Sequence, residues 1–98
     1  MMKVVWSAAA LDDFDQLIAF ISENNPAAAM RVAAAVDRTV RQLGTLQTGR
    51  PGRVEGTYEK IVPRLPYIVA YAVSSDETVV VLRVIHGARD WPPNRWPR

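Results

Sequence analysis

The run Thr78-Val79-Val80-Val81-Leu82-Arg83-Val84-Ile85-His86-Gly87 decides the fold of this chain. Its β-branched residues and its length suit a strand with neighbours on both sides, and the glycine marks its end. Two groups interrupt the apolar character: the guanidinium of Arg83, and His86, the single histidine among 98 residues. A charge in such a strand must be paired, carried to solvent or set on a binding surface, because burying it alone is costly. For Arg83 the readings are a salt bridge, with Glu59 across the sheet, or an outward-facing functional role. For His86 they are a strand-end side chain bonded to backbone, or an acid–base group. The two lie three positions apart and so point to opposite faces of a regular strand. Both serve one site only if the strand ends or bulges near Ile85 to Gly87.

Working back from this strand, Ser75-Asp76-Glu77 reads as a turn and Tyr67 to Val73 as a second strand. Pro63 and Pro66 bracket a tight connection, and Thr57 to Val62 is a third. These three form an antiparallel meander. The preceding Gly49-Arg50-Pro51-Gly52-Arg53 is turn-rich and marks the change from helical to extended period. Before it the chain is helical. Lys3 to Trp6 is a short strand, and Ser7 caps a helix with Leu11, Phe14, Leu17, Ile18 and Ile21 on its apolar face. Asp12 and Asp13 are expected near its first turn, where a carboxylate favours the helix dipole. Asn24-Asn25-Pro26 ends this helix and starts another, with Ala29, Val32, Ala33, Val36, Val40 and Leu43 on one side and Arg31, Arg38 and Arg41 away from it. Gly44 and Gly49 weaken the pattern and mark its end. The order β-α-α-β-β-β predicts a small α+β domain spanning 1–98, with a helical hairpin packed on a mainly antiparallel four-stranded sheet. Residues 91–98, rich in proline and tryptophan, form a tail, and Trp91 and Trp96 are expected to clamp the edge of the fold.

Composition excludes several kinds of chemistry. With no cysteine and one histidine there is no metal-ligand set, no thiolate and no disulfide framework. The glycine-rich loop lacks the Lys-Ser/Thr of a phosphate-binding loop and opens into a strand, so it is not a nucleotide cradle. A serine triad has no matching pattern, and no cofactor is expected. The apolar stretch at the N-terminus is too short for a signal sequence or a membrane span, which points to a cytoplasmic protein without membrane contact. Charge is uneven. Residues 1–49 hold four Lys/Arg against five Asp/Glu, whereas residues 50–98 hold eight against five. That asymmetry suits an anionic partner, either a polynucleotide or an acidic protein segment.

Several segments taken in order carry a resemblance: Trp6-Ser7 with its acidic amphipathic helix, Asn25-Pro26-Ala27-Ala28, Gly49-Arg50-Pro51-Gly52-Arg53 with Gly56-Thr57, Pro66-Tyr67-Ile68-Val69-Ala70-Tyr71, and Leu82-Arg83-Val84-Ile85-His86-Gly87-Ala88-Arg89. Together they resemble the RelE/ParE superfamily of toxins from type II toxin–antitoxin modules, and the Arg-Val-Ile-His strand end and Asn-Pro-Ala-Ala helix start look closer to the ParE branch. The resemblance implies a cognate antitoxin that wraps the toxin in a hetero-oligomer. ParE-like members poison DNA gyrase and are not enzymes. RelE-like members are metal-independent endoribonucleases that cut messenger RNA on the ribosome, and for that activity His86 would match the acid while Arg53, Lys60, Arg64 and Arg83 would match the cations. The second strand offers one lysine, and Glu55 and Glu59 offset charge that an RNA backbone would favour. The gyrase reading therefore comes first. Arg31, Arg38 and Arg41, with the alanine-rich face beside them, are expected to receive an acidic antitoxin segment.

Overall fold

In a computed structural model, which describes residues 1–87, the elements run β1 (Lys3–Trp6), α1 (Ala8–Ser22), α2 (Pro26–Gln42), β2 (Arg50–Pro51), β3 (Tyr58–Ile61), β4 (Tyr67–Val73) and β5 (Thr78–His86). The sheet order is β1-β5-β4-β3-β2. It has five strands, not the expected four: Arg50–Pro51 pairs antiparallel with Tyr58 and Glu59. Proline has no N–H to donate, so this strand stays short and at the edge. The meander β3-β4-β5 is antiparallel as expected, while β1 lies parallel to β5, with Lys3 opposite Thr78 and Trp6 opposite Val81. The expected tryptophan clamp at Trp91 and Trp96 falls outside the described residues, as does the rest of the 91–98 tail.

Ser7 begins α1 as predicted. Its Oγ accepts from the Ala10 N–H at 3.0 Å and donates to the Leu82 carbonyl at 3.0 Å. Because α1 starts at Ala8, Asp12 and Asp13 lie past the first turn, where the dipole argument does not reach them. Leu11 is 48% exposed, contrary to its expected place on the buried face. Ala10 takes that place instead, its small side chain allowing close approach to the core, and it is the one fully buried residue of α1. Helix α2 starts where Asn25 Oδ1 accepts from the Ala28 N–H at 3.0 Å, with Pro26 as its first residue.

Helix α2 supplies the centre of the core. Ala29, Val32, Val36 and Val40 face inward, and Val36 and Val40 belong to one core cluster with Val69, Tyr71, Val79 and Val81 of the sheet. Each buried valine contributes roughly 1.5–2 kcal/mol of transfer free energy. Of the alanines of α2 only Ala29 is buried; Ala28, Ala33 and Ala35 are half-buried, and Ala27 and Ala34 are exposed, as are Arg31, Arg38 and Arg41. On the other sheet face Ala70 and Ile85 are covered by Val54 with Ile68 and Leu82. The 52–57 loop that brings Val54 there turns at Gly56, whose φ of +82° disfavours any residue with a Cβ.

Candidate functional site

Strand β5 outlasts its parallel neighbour. β1 stops at Trp6, opposite Val81, so the β5 edge from Leu82 onward needs other partners. The start of α1 supplies them. The Ser7 N–H donates to the Val81 carbonyl at 2.9 Å, the Ser7 hydroxyl takes the Leu82 carbonyl, and Asp13 Oδ2 accepts from the Val84 N–H at 3.0 Å. The same carboxylate receives the Arg83 Nε and Nη2 donors at 2.7 Å each, a two-pronged pair with both side chains about 15% exposed. Its hydrogen bonds with Asp13 hold the Arg83 guanidinium above its ordinary pKa, outweighing burial. The expected Arg83–Glu59 bridge is not formed. Glu59 lies two strands away and is engaged by Arg53.

The strand irregularity also differs from the expectation. It falls between Ala70 and Tyr71, where Ala70 faces Arg83 but Tyr71 faces Val81, leaving Leu82 as the extra residue. This bulge precedes Arg83 and leaves its parity with His86 unchanged. The two nevertheless line one groove of about 490 Å³, because Arg83 reaches along the open edge to α1 instead of standing off its own face. Asp12, Gln16, Leu17 and Phe20 of α1 form one wall, and Tyr67, Ile85 and His86 form the other. The Tyr67 and His86 rings meet edge-on, with centroids 5.7 Å apart.

The other expected cations are dispersed. Arg53 grips Glu59 with Nε and Nη2 at 2.9 and 3.1 Å, and its backbone N–H donates to the same carboxylate at 2.9 Å. Burial pushes the Glu59 carboxyl up, but the hydrogen bonds and charge of Arg53 prevail and leave it below the ordinary 4.5. By register Glu59 pairs with Ala70 and belongs to the face opposite His86. Lys60, paired with Val69, shares the His86 face but lies two strands across and two residues along, a Cα separation of about 12 Å. Arg64 occupies the exposed β3–β4 turn with φ +67°. Arg31, Arg38 and Arg41 are exposed on α2. Arg41 pairs with Asp37 at 2.9 Å, and both line a shallow concavity with Met1, Ala34, Arg38, Gln42 and Thr45.

Asp13, Phe20 and Tyr67 were not among the site residues expected from sequence. Asp13 could have been found: with Ala10 and Leu17 it occupies one helical stripe, where a carboxylate requires a partner. Among the described residues no group of histidines or carboxylates could hold a metal ion, and no helix is long and apolar enough to cross a membrane.

Comparison with known proteins follows the same lines. Residues 4–91 match the family described as ParE toxin of type II toxin-antitoxin system, parDE. A protein of Sinorhizobium fredii named "Putative toxin Y4kP" is 36% identical over 91 residues, covering 92% of this chain and 93% of that protein. Toxin RelE2 of Caulobacter vibrioides is 31% identical, covering 91% and 99%. A structure of the chromosomal ParDE system of P. aeruginosa matches with a TM-score of 0.80 at 22% identity, covering 88% of this chain and 96% of that one. The RelBE2 toxin–antitoxin complex of Mycobacterium tuberculosis matches with a TM-score of 0.60 at 27% identity, covering 87% and 96%. The ParE match spans the edge-capped strand β5 and the helical hairpin alike, and the chain belongs to the ParE toxin family of type II toxin–antitoxin systems.

Proposed function

We propose that this toxin arrests growth by holding DNA gyrase through a surface, without a catalytic centre, and that a cognate antitoxin neutralises it. The observation that carries this reading is the state of the arginines. A metal-free ribonuclease needs cations directed at the scissile phosphate together with an acid and a base. Here Arg83 is fastened to Asp13 and Arg53 to Glu59, each through two guanidinium donors. Arg53 also belongs with the sheet face opposite His86. Such pairs stabilise the fold and weaken attraction for an RNA backbone. The family match to ParE supports the same target class.

The alternative, a ribosome-dependent endoribonuclease, draws on Lys60 and His86 sharing a sheet face and on the relatives named RelE2 and RelBE2. Primer extension on messenger RNA in a translation mixture separates the two. A gyrase poison produces no new ends, and its toxicity survives His86→Ala. New ends that vanish in His86→Ala would establish the nuclease. Neutralisation is assigned to an antitoxin whose acidic segment lies along Arg31, Arg38 and Arg41. Reversing Arg31 and Arg38 to Glu should weaken that complex, and unchanged affinity would remove α2 from the interface.

A further inference from the structure

We propose that the groove between α1 and the end of β5 receives a basic, apolar segment of the antitoxin, opposite in charge to the acidic segment assigned to α2. The supplier of the segment rests on the toxin–antitoxin reading above; the chemistry of the groove rests on α1. This helix contains Asp12, Asp13 and Asp15 and no lysine or arginine. Asp13 is committed to Arg83 and the Val84 N–H, so its charge is already matched. Asp12 is exposed on the groove wall, where its carboxylate accepts only the neutral Gln16 amide among the hydrogen bonds seen, at 2.8 Å. Among the described residues, the ionisable side chains lining the groove are Asp12, Asp13, Tyr67, Arg83 and His86.

The apolar half of the argument is the under-covered helix. Only Ala10 of α1 is fully buried, and Phe20 is 69% exposed on the same groove wall as Leu17. The half-buried Tyr67 ring provides apolar surface opposite. An aromatic or aliphatic anchor seated against Phe20 would bury its exposed ring, and a lysine or arginine beside it would meet Asp12. An acidic segment would meet Asp12 as a like charge, and Arg83 is already engaged by Asp13. The toxin hairpin is therefore bipolar, with α1 acidic and α2 basic, and it selects a partner of matching polarity.

The test uses the full chain and two synthetic amphipathic peptides that share a Leu/Phe face. One carries Lys and Arg at its polar positions and the other carries Glu. By fluorescence anisotropy the basic peptide should bind at least about ten-fold more tightly, a difference that Asp12→Lys abolishes and Phe20→Ser weakens for both peptides. Glu55→Lys, in the exposed loop before β3, should leave it unchanged. Equal binding, preference for the acidic peptide, or equal losses in Glu55→Lys and Asp12→Lys would overturn the proposal. The chain's own residues 88–98 include Trp91, Trp96 and three arginines, so the full-length Trp91→Ser/Trp96→Ser variant is titrated in parallel. A gain of about ten-fold in peptide affinity there would assign the groove to the chain itself and refute an antitoxin occupant. The antitoxin encoded beside the toxin should displace the basic peptide. An antitoxin that neutralises toxicity and leaves the peptide bound refutes the groove assignment alone. A neighbouring gene product that neither binds nor neutralises overturns it together with the toxin–antitoxin reading.

Discussion

Replacing Asp13 by alanine should destabilise the toxin more than any other single polar substitution on α1. Asp13 accepts from Arg83 Nε and Nη2 at 2.7 Å and from the Val84 N–H at 3.0 Å, in a setting where it and Arg83 are about 15% exposed. Losing one partner of a buried ion pair costs roughly 3–5 kcal/mol, and an orphaned backbone donor adds roughly 1–3 kcal/mol. Partial exposure lets water recover some of this, so an expected loss of about 2–4 kcal/mol follows. For a domain of this size that lowers the Tm by about 10–25 °C. The assay is urea unfolding followed by tryptophan fluorescence, run as a double-mutant cycle with Arg83→Met. Methionine removes the charge that Asp13 neutralised, so the double variant should recover at least about 1 kcal/mol relative to additivity. A loss under about 0.5 kcal/mol for Asp13→Ala, or strict additivity, would refute the view that this carboxylate closes the open edge of β5.

Ser7→Ala removes the acceptor for the Ala10 N–H and the donor to the Leu82 carbonyl and should cost about 1–2 kcal/mol, read by thermal unfolding; a cost near zero would deny Ser7 its cap role. Gly49→Ala should cost about 1–3 kcal/mol, because a Cβ there would stand 2.6 Å from the Tyr71 hydroxyl, which accepts the Gly49 N–H at 2.8 Å in a fully buried site; a neutral effect would mean that the loop moves freely. The Arg53–Glu59 pair should make stability pH-dependent. Glu59 is held below its ordinary 4.5 when folded, so its contribution is fully present above that pH and is lost as pH falls through the lower folded value. The stability gap between the native protein and Glu59→Gln should therefore close on acidification, and a gap that is constant down to the acid transition would contradict the pair.

The order of elements was legible because the apolar period changes cleanly. It is helical through Leu43, then alternating or continuous from Tyr58 onward, with prolines and glycines at the joints. Caps at Ser7 and Asn25 were equally legible, since their short polar side chains act on their own neighbours. What escaped depends on contacts distant in sequence. Nothing near Arg83 indicates that its partner lies 70 residues earlier in Asp13. The pairing arises because β1 ends short of β5 and α1 turns back across the exposed edge. The two-residue β2 was hidden because its residues are those of a turn, and its strand character comes from Tyr58 and Glu59. The bulge at Leu82 was missed for a related reason: glycine at position 87 marked a plausible break, whereas the register shift occurs inside an unbroken β-branched run. For the site, residue types were readable and their convergence was not. Arg83 and His86 meet in one groove only because a side chain follows a strand edge, and Arg53 leaves the set because Glu59, one residue from Tyr58 and Lys60 on β3, faces the other way.

We propose above that this ParE-family toxin acts on gyrase through a binding surface. Its most direct test is the supercoiling of relaxed plasmid by purified DNA gyrase with and without the toxin, its His86→Ala variant and the antitoxin. Supercoiling should be inhibited at micromolar toxin, equally so by His86→Ala, and should recover when the antitoxin is added. Full supercoiling in the presence of a toxin that still arrests growth would contradict it.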